Sequence, residues 1–150
     1  MMKFVKFFAI FMLASTVFVA CDDDDTTEAT LYDRLGGVTA ISAVVDQFLA
    51  NVVADNVINA RFSATVSNSF RTQLLRNNLI DQICEGAGGP CKYKGKTMVE
   101  AHDGMNITEA EFNALVGDLV AALDQFNVPE KEKNDLLAIL GPMKTDIVGQ

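Results

Sequence analysis

Gly88-Gly89-Pro90-Cys91-Lys92-Tyr93-Lys94-Gly95-Lys96-Thr97-Met98-Val99-Glu100-Ala101-His102 is the stretch on which the reading of this chain turns. Its opening residues stop any helix that reaches them. Glycine takes left-handed dihedrals freely, and proline cannot continue a helix. A short helix is expected around Thr97–His102, ending near Gly104. It carries the only histidine in the chain. Taken alone, a single histidine is more often a surface or hydrogen-bonded residue than a ligand, so the sequence on either side has to decide.

On both sides the periodicity is helical. Leu31-Tyr32-Asp33-Arg34-Leu35 reads as a short turn of helix closed by Gly36-Gly37. A longer helix is expected from Thr39, because Ile41, Val44, Val45, Phe48, Leu49 and Val52 recur at three- and four-residue steps. Residues 56–68 are mixed and read as short turns around Phe62. A second long helix is expected from about Phe70 to Cys84, carrying Phe70, Leu74, Leu75, Leu79 and Ile83. Downstream, Thr108 and Glu111 form a Thr-x-x-Glu capping box, followed by the stripe Phe112, Leu115, Val116, Leu119, Leu123 and Phe126. Asn127-Val128-Pro129 breaks that helix, and Pro129 is placed to open the next. The last helix is lined by Leu136, Leu140, Met143 and Ile147 and bent at Pro142. No segment alternates with period two, so the expected fold class is all-α.

Composition narrows the function classes. The 150 residues include 12 Lys and Arg against 20 Asp and Glu. Lys3 and Lys6 are the only charged residues before Cys21, so without that segment the formal charge falls from −8 to −10. A surface so negative repels phosphate backbones, and nucleic acid is not an expected partner. The three cysteines form no Cys-x-x-Cys pair, which argues against a zinc site or a thioether-linked haem.

Residues 1–20 read as a signal peptide: two lysines, then an apolar run from Phe7 to Ala20 that is short for a membrane span. Val17-Phe18-Val19-Ala20-Cys21 resembles a bacterial lipobox, in which the cysteine is lipidated and becomes the new N-terminus. Phe18 departs from the usual leucine. A plain secretory signal and an uncleaved anchor are the alternatives. All three place the folded domain outside the cytoplasm, and the lipid reading puts it on the periplasmic side of a bacterial membrane or at the cell surface. Residues 21–30 follow as an acidic, Thr-rich tether, and residues 31–150 as the folded domain.

The ordered set Leu31-Tyr32-Asp33-Arg34-Leu35-Gly36-Gly37, Phe62-Ser63, Gly88-Gly89-Pro90, Tyr93-Lys94-Gly95, Met98, His102 and Ile107-Thr108 with Phe112 resembles the group I truncated haemoglobins across the whole folded domain. Any one piece is weak; the order is specific. The resemblance implies a two-over-two helical sandwich around haem b, with His102 as the ligand to iron. Phe62 matches a phenylalanine that packs on the porphyrin, and Met98, Ile107, Phe112 and Leu115 match its apolar wall. By periodicity alone these residues are simply core. Tyr93, Lys92 and Arg76 are candidates to meet the propionates, with Tyr93 favoured by its place in the motif.

On the gas-binding side the chain departs from the family, many of whose members carry Tyr and Gln donors. Here the pocket is expected to be apolar, ringed by Phe48 or Leu49, Leu75 and Leu79. A shifted second helix would instead turn Gln73, Asn77, Asn78 or Gln82 inward. Cys84 and Cys91 could pair in an oxidising compartment, or be two unrelated buried residues. The resemblance implies binding of oxygen, nitric oxide or carbon monoxide, for oxygen transport or nitric oxide handling. Dioxygenase-type turnover of nitric oxide would need a separate reductase. A periplasmic haem or electron carrier is the alternative, and a haem-free interaction domain a third.

Overall fold

The computed structural model describes residues 28–150. The expected signal peptide, Cys21 and most of the expected acidic tether lie outside the described residues. The tether's last residue belongs to the fold. Thr30 is the N-cap of α1 (Leu31–Arg34), and its hydroxyl accepts from the Asp33 amide in a capping box. Gly36 and Gly37 follow at φ +89° and +72°, values that side chains with a Cβ rarely adopt. The chain reverses there, and α2 (Gly37–Ala54) begins two residues before the expected Thr39.

Helix α2 is the centre of the molecule. It buries Ile41, Val44, Val45, Phe48 and Val52 along one stripe and packs against α4 (Ser69–Gly86) and α6 (Glu109–Gln125). Val45, Val52, Ile58, Leu123 and Leu136 are almost wholly inaccessible to solvent. Each such side chain contributes about 1.5–3 kcal/mol of transfer free energy. Helix α4 starts where the Asn68 side chain accepts from the Arg71 amide and stops at Gly86, ahead of the Gly-Gly-Pro break. Helix α6 starts at Thr108, whose capping box with Glu111 is formed.

Two expectations are corrected. Residues 59–66 are helix α3 (Asn59–Val66), not a set of turns. Nothing in it is fully buried, so no inward apolar stripe announces it in the sequence. Phe70 is not core: it is 75% exposed, because it stands on the first turn of α4, and the buried residues of that helix begin at Ile80.

Helix α5 (Met98–His102) is short and capped by Thr97 and Glu100. After α7 (Glu130–Leu140), Pro142 lies in a single 3-10 turn, Gly141–Met143, which leads into α8 (Lys144–Ile147). Among the described residues there is no strand, only one isolated parallel bridge between Ile107 and Val148. It ties the C-terminus to the α5–α6 loop, with the Gly149 amide donating to the Ile107 carbonyl at 2.9 Å. Helix α8 packs on α5, so the chain end braces the histidine-bearing helix.

Candidate functional site

A cavity of about 420 Å³ lies between α2, α3, α4, α5 and α6, a volume within the range of about 300–1,000 Å³ typical of small-molecule sites. Phe48, Phe62, Leu75, Leu79, Tyr93, Met98, His102, Ile107, Phe112 and Leu115 all line it. The Leu49 expectation is corrected: Leu49 is not on this wall but packs, half-buried, against the core. One step along a helix turns a side chain by about 100°, and Phe48 takes the inward place.

His102 is oriented by its own helix. Its Nδ1 lies 2.7 Å from the Met98 carbonyl oxygen. A carbonyl only accepts, so Nδ1 carries a proton, and in the neutral ring this leaves the Nε2 lone pair for a ligand. The geometry starts one residue earlier. Glu100 Oε2 accepts from the Thr97 amide at 3.0 Å and the Thr97 hydroxyl at 2.8 Å. These bonds hold the Glu100 carboxyl below its usual range.

Opposite α5, one face of α4 presents Arg71, Leu74, Leu75, Asn78, Leu79 and Gln82 to the cavity. Each of these positions has another three or four residues away, so they form a single helical stripe. The wall is therefore apolar in the main but not wholly so: Asn78 and Gln82 stand on it beside Leu75 and Leu79, two sets that the sequence reading offered as alternatives. Gln82 Nε2 donates only to thioethers, at 3.5 Å to Met98 Sδ and 3.4 Å to Met143 Sδ, which are weak acceptors. Gln73 and Asn77 point away; they are exposed and bond to each other at 2.8 Å. A search for apolar periodicity skips Asn78, Gln82 and Arg71, although the same stripe contains them.

The charged neighbours are mostly committed. Arg61 reaches Glu111 at 2.6 and 3.1 Å and the Met105 carbonyl at 2.8 Å. With its Thr108 bonds, this guanidinium lowers the Glu111 carboxyl to about 2. Tyr93 donates its phenol to the Lys96 carbonyl at 2.7 Å, and burial raises the phenol's pKa. Its ring lies over Gly95, where a Cβ would collide with the phenol oxygen. Two candidates lie off the site: Lys92 pairs with Glu85 at 3.1 Å, and Arg76 forks onto Asp46.

The loop carrying Tyr93 is tied back to α4. Cys84 and Cys91 are joined by a disulfide, with Cα atoms 5.7 Å apart. One residue further on, Glu85 accepts from the Tyr93 amide at 2.8 Å. That amide, and then the Lys92 ammonium, hold the Glu85 carboxyl below its ordinary range.

Residues 30–148, which contain every element of this site, match the family described as bacterial-like globin. The chain belongs to that globin family. It is 32% identical to the group 1 truncated haemoglobin of Tetrahymena pyriformis, over 81% of this chain and 96% of that protein. It is 31% identical to the group 1 truncated haemoglobin of Mycolicibacterium paratuberculosis, over 79% and 84%. The solved Tetrahymena pyriformis structure in its Fe(III) form superposes with a TM-score of 0.73 at 31% identity, covering 81% of this chain and all of that one. The 2/2 haemoglobin of Synechococcus sp. PCC 7002, whose structure has a covalently attached haem, gives 0.72 at 26%, over 80% and 98%. This globin's fold is thus the truncated, two-over-two helical one.

Proposed function

We propose that this globin holds haem b in the cavity, with His102 as the protein's ligand to iron, and binds a diatomic gas. The carrying observation is the imidazole itself. It lines a largely apolar cavity with Nδ1 bound to the Met98 carbonyl, which leaves Nε2 as the ring's ligand atom. Among the described residues no three His, Cys, Asp or Glu side chains cluster to hold a bare metal ion. One imidazole suits a metal that arrives with a macrocycle supplying its other ligands, and the largely apolar wall suits the macrocycle. Haem b, when bound, supplies an iron with one position left for oxygen, nitric oxide or carbon monoxide.

The chain's residues set the conditions. Phe62, Met98, Ile107, Phe112 and Leu115 exclude water from the cofactor, and Phe48, Leu75 and Leu79 make an apolar surround for the gas. The Met98 carbonyl orients the imidazole. Turnover of nitric oxide would draw electrons from a separate reductase. Lipidation of Cys21 would hold the globin at a membrane, outside the cytoplasm, on the acidic tether.

Absorption spectra of the purified protein test this reading. A Soret band is expected, shifting on reduction and again under carbon monoxide. Protein reconstituted with haem that shows no Soret band would overturn it.

A further inference from the structure

The haem reading leaves open what meets the carboxylate edge of the cofactor, and the arginines answer it by elimination. Arg34 pairs with Glu132, Arg61 with Glu111 and Arg76 with Asp46. Arg71 is the one arginine of the described residues without an acidic partner, and it lines the cavity. It stands on the first turn of α4, directly after the Asn68 cap. The N-terminal turn of a helix carries a positive partial charge, so a guanidinium there opposes its own helix. An anion brought to that turn would relieve both charges.

The cavity's other arginine and its one acid are already engaged, as is its phenol. Tyr93 donates its phenol to the Lys96 carbonyl, Arg61 is spent on Glu111 and the Met105 carbonyl, and Glu111 is neutralised by that pair. We propose that Arg71 is the cationic anchor for the occupant's carboxylate, which on the haem reading is a propionate. A guanidinium fork matches a carboxylate in two parallel bonds, which a lysine does not reproduce. Lys92 and Arg76, the cations suggested by the sequence, are held elsewhere by Glu85 and Asp46. The role is one of positioning and retention, and it rests on the haem reading.

The test is haem transfer from the loaded full chain to an excess of a high-affinity apo-globin, followed at the Soret band. Arg71→Gln is expected to release haem about three- to tenfold faster, the scale of one partly exposed charge-assisted bond. Arg71→Lys should fall between, and Arg76→Gln should match wild type. The wild type should also prefer haem to its dimethyl ester, whose carboxylates are uncharged, and Arg71→Gln should lose most of that preference. Far-ultraviolet circular dichroism verifies that the variants keep their helices. Equal release by Arg71→Gln and wild type, or an undiminished preference over the ester, would overturn the anchor. A wild type that takes up neither haem nor ester would overturn the haem reading, and the anchor with it.

Discussion

His102 and Met98 lie four residues apart on one short helix, and the bond from Nδ1 to the Met98 carbonyl makes the imidazole a prepared ligand. Across the cavity, Leu75 and Leu79 offer no hydrogen bond, while Gln82 gives its amide to two sulfurs. Leu79→Gln is expected to slow oxygen release, because a new donor beside bound oxygen is worth about 1.5–3 kcal/mol, about one to two powers of ten. Stopped-flow oxygen dissociation measures it, and an unchanged rate would remove Leu79 from the gas-binding face. Glu111 supplies a pH signature. Its carboxyl is lowered from 4.5 to about 2, chiefly by Arg61 and then by Thr108. A lowered folded-state value means that the pair's contribution is fully present above about 4.5 and lost as the pH falls toward 2. The thermal midpoint should therefore drop more steeply between pH 4.5 and 2 in wild type than in Glu111→Gln. Parallel curves would show that the pair adds nothing. The sequence singled out His102 and the cavity's aromatic and aliphatic residues. Arg71 was hidden because periodicity searches weigh only apolar positions, and Asn78 and Gln82 were named only as the alternative to an apolar wall.

Helices α3, α4 and α5 differ in how plainly the sequence displays them. An apolar stripe and the Gly-Gly-Pro break after it mark α4 and set off α5, whereas α3 buries none of its residues completely and so leaves no stripe to read. Five residues are too few to form a stable helix in isolation. The Thr97–Glu100 box, the α8 contact and the loop before it therefore hold α5 in place. That loop is fastened to α4 by the Cys84–Cys91 disulfide and by Glu85. The double variant Cys84→Ala/Cys91→Ala is expected to lose about 2 kcal/mol of stability. Amide exchange should accelerate most between residues 87 and 97. Denaturant unfolding with exchange mass spectrometry tests this, and uniform acceleration over the chain would contradict the local staple.

At the scale of the whole molecule, the class was legible because every long helix carries its own apolar period and no segment carries the other one. The two-over-two arrangement was legible only through the ordered motifs from Leu31 to Phe112, since periodicity does not say which helix packs on which. Helix α2 takes the centre because its apolar stripe meets both α4 and α6. The proposed lipid anchor at Cys21 bears on the molecule's location. Cys21→Ala is expected to move the protein from the membrane fraction to the soluble one, as fractionation and immunoblotting would show. Retention at the membrane would favour an uncleaved N-terminal anchor. The central claim, that this cavity is a haem site built on one imidazole, is tested most directly by titrating haem into the apo-forms of wild type and His102→Ala. Wild type should saturate at one haem per chain with a ferrous spectrum that shifts under carbon monoxide. His102→Ala should bind haem only weakly and regain the spectrum when free imidazole is added. A His102→Ala protein with wild-type affinity and an unchanged ferrous spectrum would contradict the account.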